Sequence, residues 1–387
     1  MRILLSGLGR DAYPTGICRV AANHAGALVS GRVAKQVILA IGSWQRELYS
    51  TLLGSCADIE LVSVDIKNNS LSRNHWFAAE LPRLARRYGA SLVHYSFPAP
   101  VLRRRFPCPV VVTLHDFYPY DMPGNFGFPN YFANRLILRQ CLRNVDGVAC
   151  VSSSTRSRFE ELFPNAASRA AVGVTGNYVR VSNVAHLAPR TSQELEMSRF
   201  ILCVAQHRKN KNLELLLHGY AKLLKSRSFQ FPLVIVGTQG PETVSLMRLT
   251  ESLGLSERVE FLYSISDVEL NWLYKYCALL VICSTAEGFC LPLVEGLLTH
   301  AKVVCSDLGI LRDVGGEQCA YFSLGANAAE NLADAILASL AQPLRTTTTL
   351  DGRFSEESVL DAYSRLYSRV LPSLQGEGSW LAWNSNT

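Results

Sequence analysis

The stretch Ser284–Leu298, STAEGFCLPLVEGLL, limits the possible folds of this chain more than any other. It follows the apolar run Cys277–Cys283 (CALLVIC), which has the length and the lack of alternation of a strand buried on both faces, as in a parallel sheet. The run stops at Ser284, where a polar, glycine-containing loop begins. Pro292 has no N–H to leave unpaired, so a helix is predicted to start at Leu291 or Pro292, with Glu295 on its first turn. A strand–loop–helix unit of this kind aims the N–H groups of Phe289, Cys290 and Leu291, beside Gly288, over the carboxyl end of a strand. The positive end of the helix dipole lies behind them, so the unit is suited to an anion. Glu287 and Glu295 flank it as acceptors for the hydroxyls of a sugar or ribose beside a bound diphosphate. Two solvated glutamates near a helix start have the same spacing.

A chain of 387 residues, 48% hydrophobic and 18% charged, is long enough for two globular domains. No apolar run reaches the roughly 18 residues of a spanning helix, and MRILLSGLGR carries charge too early for a signal peptide, so the expected location is the cytoplasm. The 11 cysteines are scattered without a C-x-x-C pair, which argues against structural zinc and a disulfide framework. The first 180 residues hold 21 Lys and Arg against 11 Asp and Glu, and the remainder 17 against 21. Arg83, Arg86, Arg87 and the run Arg103–Arg105 suit an anionic membrane surface, a phosphorylated lipid acceptor or a solvated face. Nucleic acid is not expected, because no basic motif is interleaved with aromatics.

Strands and helices alternate along both halves. Arg2–Ser6 opens as a strand, and GLGRDA after it has the letters of a dinucleotide fingerprint. Pro14 interrupts it, and the next strand, Lys35–Ile41, ends without the acid that would hold a ribose. A helix is predicted after Thr15-Gly16, with Ile17, Val20, Ala21, Ala25 and Leu28 on one face. Ser91–Tyr95 and Pro109–Leu114 read as buried strands ending in His94 and His115; His94 is read as a structural histidine. Phe117–Tyr131 is rich in Pro, Gly and aromatics, either a binding loop or a cover over the core. Asn130–Arg143 has helical spacing, and Val148–Val151 is a further strand. Gly176–Thr191 reads as a linker. A second series opens with Phe200–Val204, followed by AQHRKNKN, which places Arg208, Lys209 and Lys211 at a strand–helix junction where a pyrophosphate would be met. Leu233–Val236, Val259–Ser264 and Lys302–Cys305 continue that sheet. Ser355–Leu371 is a helix with one apolar stripe, and the tail from Gln375 looks loosely held.

The pattern E-G-F-x-L-P-x-x-E from Glu287 to Glu295, followed by AKVVCSDLGILRDVGG, resembles the signature of the retaining family-4 glycosyltransferases of the GT-B fold. The resemblance implies that Glu287 contacts the donor sugar and Glu295 the nucleotide ribose. It places Gly16 near the donor phosphates and sets His115 of VVVTLHD beside the donor sugar. Lys211 matches the lysine that bears on the leaving diphosphate. Gln206 stands at the usual arginine position, so Arg208 takes that part. The loop Tyr263–Asp267, with Tyr263 and Ser264, borders the nucleotide base. Cys290 departs from the pattern, where a second glycine is usual.

The expected architecture is α/β, with two doubly wound Rossmann-like domains facing across a cleft. These are residues 1–180, with a returning helix at 353–375, and residues 190–350. The expected activity is retaining, metal-independent transfer of a hexose, mannose first, from a nucleotide sugar to a glycan or lipid-linked acceptor in surface polysaccharide synthesis. No cofactor and no metal are expected, and peripheral contact with the inner face of the membrane is expected through the basic first domain. A GT-B epimerase or phosphorylase, a non-catalytic nucleotide-sugar-binding protein and a nicotinamide oxidoreductase remain as alternatives.

Overall fold

A computed structural model describes residues 1–13, 15–54, 56–125, 129–179, 199–226, 229–343 and 352–371. Pro14, most of the predicted linker and the tail from Gln375 lie outside the described residues. The chain divides into two compact units, one made of Met1–Tyr120, Gly127–Tyr178 and the residues from Gly352, the other of Asp121–Phe126 and Val179–Asp351.

The first unit is a seven-stranded, all-parallel sheet. Its strands are β1 (Arg2–Ser6), β2 (Gln36–Gly42), β3 (Ile59–Val64), β4 (Leu92–Tyr95), β5 (Val110–Leu114), β6 (Gly147–Cys150) and β7 (Ala171–Val174), in the order β3-β2-β1-β4-β5-β6-β7. The strands β4, β5 and β6 are buried along their whole length, as in VVVTL of β5, because helices cover both faces of a parallel sheet. The second unit repeats the plan with six strands: β8 (Ile201–Val204), β9 (Leu233–Val236), β10 (Val259–Leu262), β11 (Leu279–Ile282), β12 (Val303–Ser306) and β13 (Cys319–Phe322). Their order is β10-β9-β8-β11-β12-β13, again all parallel. Chain order reverses between β1 and β4 in one sheet and between β8 and β11 in the other. In doubly wound sheets the ligand crevice opens at that reversal, outside the carboxyl ends of the strands.

The first helix, Gly16–Ser30, starts where Thr15 Oγ1 accepts from Cys18 N at 3.5 Å. Its inward residues include Cys18, Ala21, Ala25 and Leu28. Ile17, predicted on that face, is 42% exposed, because the position next to Cys18 is rotated by about 100°. The segment after β5, predicted to be irregular, contains a short helix at Tyr118–Asp121 and a 3₁₀ turn at Pro123–Asn125. Phe117 there is buried, stacked on Phe163 at 6.1 Å.

The helix Glu356–Val370 packs on the first unit through Val359, Tyr363, Leu366 and Tyr367. Tyr367 Oη lies 2.6 Å from His94 Nδ1 and 3.2 Å from His24 Nε2, while His94 Nε2 meets Thr113 Oγ1 at 2.8 Å. His24 also stacks on Tyr363, ring centroids 4.0 Å apart. His94 is therefore structural. Burial lowers His24 to about 3, and burial, followed by repulsion from His24, puts His94 well below the usual histidine range. A folded-state value below the unfolded one means that the unfolded chain binds more protons, so this stability is complete above pH 6.5 and is lost as pH falls toward 3. Acidification from pH 7 to pH 5 is expected to cost about 2 kcal/mol through His24 alone. Denaturant titrations at the two pH values test this; equal midpoints would contradict it.

Candidate active site

The site in the second unit is built on the paired strands β8 and β11, where Ile201 lies opposite Leu279 and Leu202 opposite Leu280. The loops leaving their carboxyl ends are therefore neighbours, and they are stitched together. Thr285 N donates to Asn210 O at 2.8 Å, and Asn210 Nδ2 donates to Ala286 O at 3.3 Å, with Asn210 only 1% exposed. Lys211 closes a 3₁₀ turn, and Asn212, at φ 52°, redirects the chain into the helix Leu213–Leu223. Asparagine tolerates that left-handed conformation better than most residues.

This frame brings Lys211 and Glu287 together across 76 residues of sequence, with Nζ 2.5 Å from Oε1. Ser284 Oγ donates to the same carboxylate oxygen at 2.6 Å. Glu287's side chain is 6% exposed and that of Lys211 21%. Burial opposes the lysine's charge, but the carboxylate and its hydrogen bond outweigh it and hold the ammonium above its ordinary range. The pair is therefore a fixed cation and a fixed anion at the mouth of the reversal point. A crevice beside it is lined by Cys203, Lys211, Ser284, Glu287, Cys290 and Pro292.

The helix after the loop runs Leu291–Leu298, with Pro292 as its second residue. Glu295 is consequently the fifth residue and sits on the second turn, not the first. The helix starts one residue ahead of the proline, and a turn holds 3.6 residues. Tyr274, from the helix Asp267–Tyr276, donates to Glu295 Oε2 at 2.7 Å and orients it. Gly288 is half-buried in the loop, Phe289 is buried, and Leu291 is half-buried as the first helical residue.

Cys290 has φ 74°, the conformation in which glycine costs least. Burial, then repulsion from Glu287, raises its thiol well above the usual range, so it stays protonated. Cys290→Gly is expected to leave stability nearly unchanged, since relief of strain offsets lost burial. Cys290→Val is expected to cost about 2 kcal/mol or more, because a β-branched side chain fits a left-handed position poorly. Chemical denaturation of the two variants tests the contrast.

Arg208 and Lys209 are exposed at the turn, and Arg208 is not drawn into the Lys211–Glu287 pair. Tyr263, beyond β10, is half-buried with its ring 5.7 Å from that of His207, and Ser264 is exposed at φ 56°. Sequence reasoning passed over His207. It is fully buried, its Nδ1 is 3.0 Å from Thr243 Oγ1, and its ring also meets Phe261. The loop after β9 closes over it so tightly that a Cβ at Gly240 would lie 2.4 Å from His207 O, and one at Gly237 1.9 Å from Ala205 O. Asn210, Tyr274 and Ser284 were also missed; the first two act through neighbours distant in sequence, which no spacing reveals, and Ser284 through Glu287 three residues on, within the loop.

In the first unit, His115 follows β5. Its Nε2 donates to Ser96 O at 2.8 Å, which fixes the tautomer, and burial, partly offset by that bond, lowers its affinity for a proton. Gly16 is exposed as the first residue of its helix. The loop after β1 is held by Gln45, fully buried, whose Oε1 accepts from Gly9 N at 3.0 Å and Gly42 N at 3.1 Å and whose Nε2 donates to Asp11 O at 3.2 Å. Among the described residues, no three His, Cys, Asp or Glu side chains converge as a metal site would require.

Residues 16–174 match the model of Glycosyltransferase Family 4, and residues 188–356 match that of Glycosyl transferases group 1. The O-antigen chain mannosyltransferase RfbU of Salmonella typhimurium is 26% identical over 215 residues, 56% of this chain and 55% of its own. The O-antigen chain mannosyltransferase B of Escherichia coli is 26% identical over 238 residues, 61% of each chain. The matched region thus spans a little over half the length of these curated relatives. Among solved structures, Anabaena HepE in complex with UDP and glucose superposes with a TM-score of 0.62 at 18% identity, covering 97% of both chains. With two such units and two such matches, the chain belongs to the GT-B glycosyltransferases, its first half a Glycosyltransferase Family 4 domain and its second a Glycosyl transferases group 1 domain.

Proposed function

We propose that this protein is a retaining, metal-independent hexosyltransferase. It would move a sugar, mannose first, from a nucleoside diphosphate to a glycan or lipid-linked glycan acceptor in surface polysaccharide synthesis. The observation that carries this reading is the buried Lys211–Glu287–Ser284 cluster at the reversal point of the second sheet, with Glu295 one helical turn beyond. The two O-antigen mannosyltransferases support the choice of sugar and product.

The bond from the anomeric carbon to the diphosphate oxygen breaks with its electron pair passing to that oxygen. Lys211 and the amides at the start of the Leu291–Leu298 helix stabilise the developing charge without reorganising. The acceptor hydroxyl oxygen bonds to the anomeric carbon from the same face, and its proton leaves with the departing phosphate. Glu287 orients donor-sugar hydroxyls, His115 supports them, Arg208 adds charge near the phosphates and Glu295 accepts from the ribose. Gly16 and the Tyr263–Ser264 loop complete the donor site.

The test incubates the protein with GDP-mannose and other nucleotide sugars, with glycan acceptors and a chelator present. Nucleoside diphosphate release that depends on acceptor, survives chelation and yields a product of unchanged anomeric configuration is the expected result. Release that needs no acceptor or that stops with the chelator overturns the corresponding part, and no thermal stabilisation by any nucleotide sugar overturns the whole.

A further inference from the structure

The crevice beside the Lys211–Glu287 pair is small, and its walls have little room to give. Its volume is about 10 Å³, the order of a single water molecule. Its floor comes from the ends of β8 and β11, where Cys203, Val281 and Cys283 are each no more than 2% exposed. Ser284 is tied twice, its Oγ donating to Glu287 and its carbonyl accepting from Ser306 Oγ. The helix Leu291–Leu298 already touches the strand beneath it, since a Cβ at Gly296 would lie 2.4 Å from Leu280 Cδ2, so its start has no space to retreat toward the sheet. Interiors packed this closely resist an added group. Cys290 lines the crevice where the helix begins. It is 7% exposed and stands at φ 74°, where glycine would give the same backbone with neither Cβ nor Sγ and would leave the crevice wider. Burial and the neighbouring Glu287 carboxylate keep the thiol protonated, so it contributes volume without charge.

We infer that Cys290 is a specificity-determining residue, its Sγ restricting the group that a donor sugar places beside Glu287 to a hydroxyl and excluding larger ring substituents such as acetamido or methoxy. A hydroxyl has the size of water and donates to the carboxylate. An acetamido group adds a carbonyl and a methyl at the same point, which would have to displace either Sγ or the buried strand ends, and overpacking of that kind is costly. The inference rests on the donor site proposed above and narrows it to nucleotide hexoses whose hydroxyls are free at that point. Cys290 acts here by its volume and takes no part in the bond changes.

The experiment is calorimetric titration of the full chain with donors matched in their base. GDP-mannose is compared with its 2-acetamido-2-deoxy and 3-O-methyl derivatives, and UDP-glucose with UDP-N-acetylglucosamine. In the series whose hexose binds, the parent should bind at least one derivative about 30-fold more weakly than the unmodified hexose. Cys290→Ala removes Sγ but keeps Cβ and the left-handed backbone, and should narrow that ratio to about threefold or less, as should Cys290→Gly. Cys290→Ser, which replaces Sγ with a smaller atom at nearly the same place, should keep most of the discrimination. Ratios within one protein cancel any general change in donor affinity. Equal binding of hexose and derivatives by the parent, or an unchanged ratio in Cys290→Ala, overturns the inference and leaves the donor site standing. Relaxation in Cys290→Gly but not in Cys290→Ala assigns the effect to backbone freedom and overturns it as well. Failure of GDP-mannose and UDP-glucose alike to bind the parent overturns the donor site and this inference with it.

Discussion

Lys211→Ala is expected to reduce transfer by about 100-fold or more at saturating donor and to destabilise the second unit by about 3 kcal/mol. Both effects have one cause. The ammonium is held 2.5 Å from a carboxylate that is itself only 6% exposed, so deleting it removes a fixed positive charge from the leaving-group side and strands an anion away from water. Ser284 still donates to Glu287 in the variant, which limits the loss of stability but supplies no charge. The two consequences separate in Lys211→Met combined with Glu287→Gln. That pair carries no stranded charge, so its unfolding midpoint should return toward the parent while transfer stays suppressed. A double-mutant cycle on denaturant midpoints and on turnover checks this. Turnover that recovers together with stability would show that Lys211 acts only as a structural partner of Glu287.

That pair also shows what the sequence can and cannot reveal. The strand before Ser284, the helix around Pro292 and the basic turn after β8 were all legible, because a parallel sheet buries its central strands on both faces and leaves uninterrupted apolar runs. The strands that were missed, β3, β7 and β13, all lie at sheet edges. Their residues are only partly buried, and their sequences, IELVSV, AVGV and CAYF, lack such runs. Within the site, the candidate glutamates and Lys211 were identified by pattern, but the contact between Lys211 and Glu287 depends on the pairing of β8 with β11, which no local spacing encodes. The same holds for the histidine core under the returning helix, where His24, His94 and Tyr367 meet from three distant segments. Cys290 is the reverse case. The departure from glycine was visible in the sequence, and its physical meaning, a left-handed backbone occupied by a residue with a Cβ, came only with φ 74°.

Glu295→Gln is expected to weaken nucleotide-sugar binding by about 10- to 100-fold, the range for losing a charged acceptor facing a hydroxyl. The carboxylate is preorganised. Tyr274, 1% exposed and anchored in the neighbouring helix, donates to Oε2 at 2.7 Å and restrains the side chain against rotation. Tyr274→Phe should therefore also weaken binding, but less, because it frees the carboxylate to rotate without removing its charge. A donor analogue lacking a ribose hydroxyl makes the assignment specific. The parent should bind the deoxy analogue more weakly than the natural donor, while Glu295→Gln should show a clearly smaller difference, since its neutral amide oxygen accepts from the hydroxyl less strongly than the carboxylate does. Calorimetric titration of both ligands against both proteins measures the coupling directly. If the substitution weakens both ligands by the same factor, Glu295 would be supporting the helix rather than reading the ribose, and the donor would have to be held by other groups at the reversal point.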